Sequence, residues 1–389
     1  MKIALIGQKG IPARSGGIER HVEELSIRLA KAGHEVFVYS RKHYTQYQDK
    51  KYKGVNLIYL PSLKTKHLDA ITHTLFASVD ALRRDFDIIH YQGVGPSTLA
   101  FIPRILKRKA KVISTFHCRD QFHQKWGLIA RMYLKFGEFS SCKFPHQAIG
   151  VSKIIRNLGL KKYNANIDYI PNGVAIQKHE GYDAIRKFGL KPNSYVMTCA
   201  RLVKHKGIHY LIKAFIELKR EVGELKLKEL KLVIVGDSAY TDDYVAYLKK
   251  LAKGREDIVF TGFQSGKNLS QLFSNAYVYA HPSESEGLPI TVLEAMQYGN
   301  TVLVSNIPEN IEAFAGNGYM FENKNVDDLK YKLKLLIENP QLVAETGVKA
   351  AKYVSKNYNW EDITKNTINL YSRVLATQMV EISESTQRA

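Results

Sequence analysis

Two apolar runs that break into a glycine constrain this chain more than any other feature. The first is Lys2-Ile3-Ala4-Leu5-Ile6-Gly7 and the second Lys231-Leu232-Val233-Ile234-Val235-Gly236-Asp237. Neither run alternates apolar with polar residues, so neither has a face for water. Each reads as a strand buried on both sides, the condition of a parallel sheet covered by helices. Helical spacing follows the first run: residues 18–32 carry apolar Val22, Leu25, Ile27 and Leu29, and Gly33 ends the helix. Further strands are predicted at residues 35–40, 88–91 and 111–115, then at 195–200, 258–261 and 277–280. Helices are predicted over 207–222 and 242–253. Beyond Trp360 an amphipathic helix carries Ile363, Ile368, Leu370, Tyr371, Val374 and Leu375, with a frayed tail after Ile382.

A chain of 389 residues exceeds what one core usually holds. Pro171-Asn172-Gly173-Val174 is a turn signal followed by a polar stretch over 177–182. The expected organisation is an N-terminal domain over residues 1–173, with a C-terminal helix at about 372–389 packing back on it, and a C-terminal domain over 174–371. Both are α/β and Rossmann-like, facing across a cleft. In such sheets ligands bind beyond the carboxyl ends of the strands, so the loops after Ile6, Tyr91, Thr115, Ala200, Val235, Thr261 and Ala280 are the ones that matter.

The apolar fraction of 45% and charged fraction of 24% are those of a globular protein. No run approaches the ~18 apolar residues of a membrane span, and the opening apolar run turns into a glycine loop, unlike a signal peptide. Cys118, Cys142 and Cys199 lack metal-ligand spacing. A reduced, cytoplasmic protein is expected. The charge is uneven: residues 1–175 hold 29 Lys+Arg against 12 Asp+Glu, most of the chain's net +20. That excess points to an anionic partner (a membrane surface, a nucleic acid or a phosphorylated acceptor) or to a merely solvated surface. The basic segment 103–111, with Arg104, Lys107, Arg108, Lys109 and Lys111, and residues 50–53 are the candidates for it. No RNA- or DNA-binding module accompanies the charge.

Two segments carry the chemistry of the second half. In the first, Ser283-Glu284-Ser285-Glu286-Gly287-Leu288-Pro289-Ile290 opens a helix that continues to Glu294. Gly287 permits close backbone approach to a ligand. Pro289 suits a helix start, and the free amides there favour phosphate. Glu294 can accept from a ribose hydroxyl, and Glu286 can reach sugar hydroxyls. The second segment is Ala200-Arg201-Leu202-Val203-Lys204-His205-Lys206-Gly207, in which Arg201 and Lys206 suit phosphate oxygens. Cations placed there stabilise a departing diphosphate. In the first half, Gly16-Gly17-Ile18-Glu19-Arg20-His21 offers amides at a helix start, and His117 ends the strand of Ile113-Ser114-Thr115-Phe116. Taken alone, His117 reads first as a structural histidine, and Arg20 and His21 as helix-surface residues.

These residues resemble the family 4 retaining glycosyltransferases of the GT-B fold. Glu286 and Glu294 form the family's E-x7-E pattern, and Arg201 to Gly207 its Arg-x4-Lys-Gly segment. Gly16-Gly17 resembles its acceptor-side loop, and Pro171-Asn172-Gly173-Val174 its hinge. The resemblance implies transfer of a sugar from a nucleoside-diphosphate donor to an acceptor hydroxyl, with retention and no metal or other cofactor. It gives Glu294 the ribose, and Arg201, Lys206, Gly16, Gly17, Gly287, Leu288, Pro289 and Ile290 the donor's diphosphate end. Glu286 and His117 receive the sugar. Gly10-Ile11-Pro12-Ala13, Lys125-Trp126-Gly127 and Gly137-Glu138 look like a bacterial surface-polysaccharide subgroup of rhamnosyl- and hexosyltransferases. That implies a saccharide or lipid-linked acceptor at the inner membrane face, and no nucleic-acid partner. Gly287-Leu288-Pro289 departs from the Gly-Phe-Gly-Leu-Pro of many members and leaves the donor sugar open. Asp85-Phe86-Asp87 is a literal D-x-D, read here as a strand start. The alternatives are another GT-B enzyme (an epimerase or phosphorylase), a nucleic-acid-binding protein, and a catalytically dead scaffold.

Overall fold

The computed structural model describes every residue except 15, 45, 46, 48, 66, 67, 120–127, 224–226, 228, 388 and 389. The segment 125–127 therefore lies outside the described residues. The chain divides into two units, Met1–Gly173 with Trp360–Ala389, and Val174–Asn359.

The first unit is built on eight strands: β1 (Lys2–Ile6), β2 (Glu35–Arg41), β3 (Lys51–Tyr52), β4 (Val55–Leu60), β5 (Ile88–Gln92), β6 (Lys111–Phe116), β7 (Gln147–Gly150) and β8 (Ile167–Tyr169). Their order is β3-β4-β2-β1-β5-β6-β7-β8, parallel except for the short β3. The central strands are buried on both faces, as their unbroken apolar runs demand: Ile3, Ala4, Leu5 and Ile6 are fully covered. The order reverses between β1 and β5, so the loops after those strands flank the crevice at the sheet's carboxyl end.

The second unit has six parallel strands: β9 (Tyr195–Cys199), β10 (Lys231–Val235), β11 (Ile258–Gly262), β12 (Val278–His281), β13 (Thr301–Ser305) and β14 (Tyr319–Phe321). Their order is β11-β10-β9-β12-β13-β14. Helix Ile208–Val222 covers one face, burying Leu211, Ile212, Phe215 and Leu218 against Leu232 and Ile234. Here the order reverses between β9 and β12.

Several boundaries differ from the sequence expectation. β12 ends on His281, one residue later than expected, because His281 pairs in register with Val304 of β13. The chain returns to the first unit at Trp360, earlier than residue 372. The Trp360 indole lies flat against Gly173, 5.5 Å from the His21 ring and 5.3 Å from the Arg28 guanidinium, and is 2% exposed. Burial of so large a ring fixes the crossing point. The helix it begins, Trp360–Gln387, continues past Ile382, where fraying was expected. The segment 103–111 is only partly a basic surface: Lys107 Nζ donates to the carbonyls of Leu82 and Arg84, and Lys111 is buried at the start of β6. Among the described residues no helix is long and apolar enough to cross a membrane.

Candidate active site

The loops after β9 and β12 meet at the reversal of strand order in the second unit. Gly207 makes this meeting possible. Its φ is +67°, and a Cβ there would fall 1.9 Å from the Pro282 carbonyl oxygen, so only glycine lets the two loops touch. Backbone and side-chain bonds join them: Glu284 N–H donates to the His205 carbonyl at 2.7 Å, and Ser283 Oγ donates to the same oxygen at 3.3 Å. Lys206 sits in the short 3-10 turn Lys204–Lys206 directly before Gly207.

The contact places two sequence-predicted residues together. Lys206 Nζ donates to Glu286 Oε1 at 2.5 Å. His281 Nε2 lies 2.7 Å from the same oxygen. The carboxylate is 10% exposed and the lysine 15%. Burial alone would raise the Glu286 carboxyl, but the Lys206 ammonium and His281 outweigh it and hold it well below the usual range. Burial lowers His281, with Glu286 opposing. The imidazole is therefore neutral at neutral pH, its Nε2–H donating to the carboxylate.

Arg201 is exposed in the same loop after β9, one residue beyond Ala200. Gly287, Leu288 and Pro289 are buried, and Ile290 begins the helix Ile290–Tyr298, whose start has no side-chain cap. Glu294 is half-buried one turn into that helix. It shares its surroundings with Cys199 at the end of β9: burial pushes the Cys199 thiol up to about 12, Glu294 adding to the rise and Lys206 opposing it. Arg201, Lys206, Glu286, the Gly287–Pro289 turn and Glu294 thus belong to one sheet end. A second acid stands behind them. Glu284 Oε1 accepts from the Tyr210 hydroxyl at 3.0 Å, and its other oxygen lies 3.2 Å from Lys324 Nζ.

His117, Gly16 and Gly17 belong to the first unit. His117 is buried at the end of β6, and its Nε2 lies 2.9 Å from Gln92 Oε1, so Nε2 donates and Nδ1 is left as an acceptor. Burial holds His117 well below its ordinary value, with His21 and His90 adding to the shift. His21 is not the helix-surface residue that its position implied. It is 5% exposed, packed edge-on against His117 at 4.9 Å, because helix Gly17–Lys31 turns it toward the core. Arg20 does face outward. Gly16 has φ +105°, and a Cβ there would fall 2.1 Å from Glu19 Oε2; the other Glu19 oxygen accepts from Lys9 N–H at 3.1 Å. The D-x-D segment leads directly into β5: Asp87, the residue before Ile88, accepts from Lys2 N–H through Oδ2 at 2.7 Å, holding the start of β5 to β1.

Comparison with known proteins decides what this arrangement belongs to. The Glycosyltransferase Family 4 model matches residues 15–178, and the model for Glycosyl transferases group 1 matches residues 183–360. The chain is a GT-B glycosyltransferase. An uncharacterized glycosyltransferase of Methanocaldococcus jannaschii is 26% identical over 399 residues, covering 95% of this chain and 98% of its own. An N,N'-diacetylbacillosaminyl-diphospho-undecaprenol alpha-1,3-N-acetylgalactosaminyltransferase of Campylobacter jejuni is 28% identical over 250 residues, 60% of this chain and 62% of its own. Anabaena HepE, crystallised with UDP-glucose, superposes with a TM-score of 0.77 at 18% identity, covering 96% of this chain and 100% of that one.

Sequence reasoning about the glycosyltransferase missed His281, Glu284 and Tyr210. His281 was within reach of the strand-end rule that selected His117, once β12 is allowed its last residue. The Tyr210–Glu284 pair, separated by 74 positions, left no local signal.

Proposed function

We propose that this glycosyltransferase moves a sugar, with retention, from a nucleoside-diphosphate donor to a hydroxyl of a saccharide or lipid-linked acceptor in cell-surface polysaccharide assembly. The observation that carries the reading is the Lys206–Glu286–His281 cluster at the strand reversal of the second unit, with Arg201 exposed in the same loop as Lys206. As the glycosidic bond breaks, negative charge grows on the leaving diphosphate, and Arg201 and Lys206 are the cations to meet it. No metal is required in this reading. Glu286, held ionised and oriented by Lys206 and His281, accepts from hydroxyls of the donor sugar. Glu294 takes the ribose. His117 and Gly17 keep the assignments that the resemblance gives them. The diphospho-undecaprenol in the name of the Campylobacter relative supports a lipid-linked acceptor, and HepE's UDP-glucose supports a nucleotide-sugar donor. An inner-membrane location follows from such an acceptor.

The test is thermal stability against a panel of nucleoside diphosphates and their sugars without added metal. A ligand at a hundredfold excess over its Kd adds about 2.7 kcal/mol. One base is expected to shift the midpoint selectively, Glu294→Ala to abolish the shift, and Arg201→Ala to keep binding while losing turnover. No shift with any nucleotide overturns the reading. The anomeric configuration of the product, read by NMR, decides retention.

A further inference from the structure

The helices that carry the chain from β4 to β5, from β5 to β6 and from β6 to β7 are inside out. In Leu68–Leu82 the buried positions are His73, Thr74, Ala77, Ser78 and Ala81, whereas Leu68, Leu75, Phe76 and Val79 are exposed. Their spacing puts the exposed four on one stripe. Leu128–Lys143 repeats the inversion in part: it buries Glu138, Ser140 and Ser141 along with Leu134 and Cys142, while exposing Met132, Phe136 and Phe139. Between them, Phe101–Leu106 exposes Phe101, Ile105 and Leu106, the last at 69%.

The stripes join. Leu68–Leu82 packs beside Phe101–Leu106. The Phe101 ring is 5.9 Å from Phe144, which is 6.0 Å from both Phe136 and Phe139. All three crossovers step the same way across the sheet, so right-handed connection puts them on one face. A monomer rarely leaves so extended an apolar surface without a use for it. On the three helices the fully exposed charged residues are Arg104, Arg131, Lys135 and Lys143; Arg83 and Lys109 follow the first two helices, and exposed Asp85 and Asp87 stand beside Lys109. No carboxylate occupies a fully exposed position of the three helices among the described residues.

We propose that this face docks the glycosyltransferase peripherally on an anionic lipid bilayer, the apolar side chains entering the headgroup boundary and the basic ones pairing with lipid phosphates. The inference rests on the membrane-borne acceptor proposed above and adds the surface that meets the membrane. The mixture argues for lipid over protein. A protein interface depletes charge at its centre, whereas here Arg131 and Lys135 alternate with Met132 and Phe136 on the same helical stripe, the pattern of an interfacial helix.

The full chain is sedimented with vesicles of phosphatidylcholine alone and with added phosphatidylglycerol. Binding is expected only with the anionic lipid and is expected to weaken with salt. L75E/F76E and M132E/F136E are each expected to lose it. R131Q/K135Q, which leaves every apolar contact in place, should lower partitioning on the order of tenfold. All variants should keep the wild-type cooperative melt, since every altered side chain is exposed. Absence of wild-type binding to anionic vesicles, or undiminished binding by both apolar variants, overturns the proposal. So does a dimer dispersed by L75E/F76E in a chain that ignores vesicles, which would make the face an interface between copies. A chain that binds vesicles but no nucleotide would sink the donor reading and leave this one standing.

Discussion

Glu286 Oε1 accepts from two donors at once, the Lys206 ammonium and the His281 imidazole. A carboxylate so held cannot rotate, which is what positioning a sugar hydroxyl requires. Glu286→Gln keeps the shape but leaves Lys206 without its counter-charge. Its kcat is expected to fall about 10²-fold or more with a smaller change in KM, measured by donor turnover. His21 gives the pH prediction. Burial lowers it from 6.5 to about 4, with Asn172 opposing, and its ring nitrogens meet no partner in hydrogen-bond geometry. A histidine held neutral in the fold favours the unfolded chain once the unfolded form takes a proton. The loss of stability therefore begins as pH falls below 6.5 and is complete near 4, amounting to about 3 kcal/mol. Urea midpoints between pH 7 and 4 should show this slope in the wild type and a shallower one in His21→Gln.

At the scale of elements, the second unit's site depends on one close approach, Gly207 against the Pro282 carbonyl. Gly207→Ala must move one loop off the other, taking Lys206 from Glu286. A cost of about 2 kcal/mol or more is expected, with turnover falling in the same variant. A melt and a kinetic assay on one preparation check both. Two strands buried on both faces were legible in the sequence: β1 and β10 announce themselves because nothing in Ile3–Ile6 or Leu232–Val235 can face water. β13, Thr301–Ser305, is buried at every residue yet was not predicted, because its Thr and Ser ends leave only three apolar residues in a row. The three- and four-residue strands β7, β8 and β14 were not legible either, each covering at most two repeats of the two-residue strand period. Helices Leu68–Leu82 and Leu128–Lys143 escaped because they bury mostly small and polar residues and turn most of their large apolar ones outward, against the rule that a helix is recognised by. The site was legible in parts. Glu286, Glu294, Arg201 and Lys206 stand in local patterns, but the Lys206–Glu286 bond spans 80 positions and exists only because strand order reverses between β9 and β12.

At the scale of the molecule, the first unit is closed by a segment that lies beyond the second. Trp360 is covered by Gly173, His21 and Arg28, and further along the same helix the Tyr371 hydroxyl lies 2.7 Å from His90 Nδ1 inside the first unit. Trp360→Ala is expected to destabilise the first unit by about 3–5 kcal/mol. Because the second unit, Val174–Asn359, is continuous, denaturation followed separately in the two units should show its transition unmoved. The same arrangement sets an order of assembly on the ribosome. The amino-terminal unit is made first but cannot be finished first, since the buried His90 ring waits for a hydroxyl 281 residues downstream. At ~5–20 residues per second that wait lasts tens of seconds. During it the later-made unit can fold to completion while the earlier one stands open along the side that Trp360 and Tyr371 will cover.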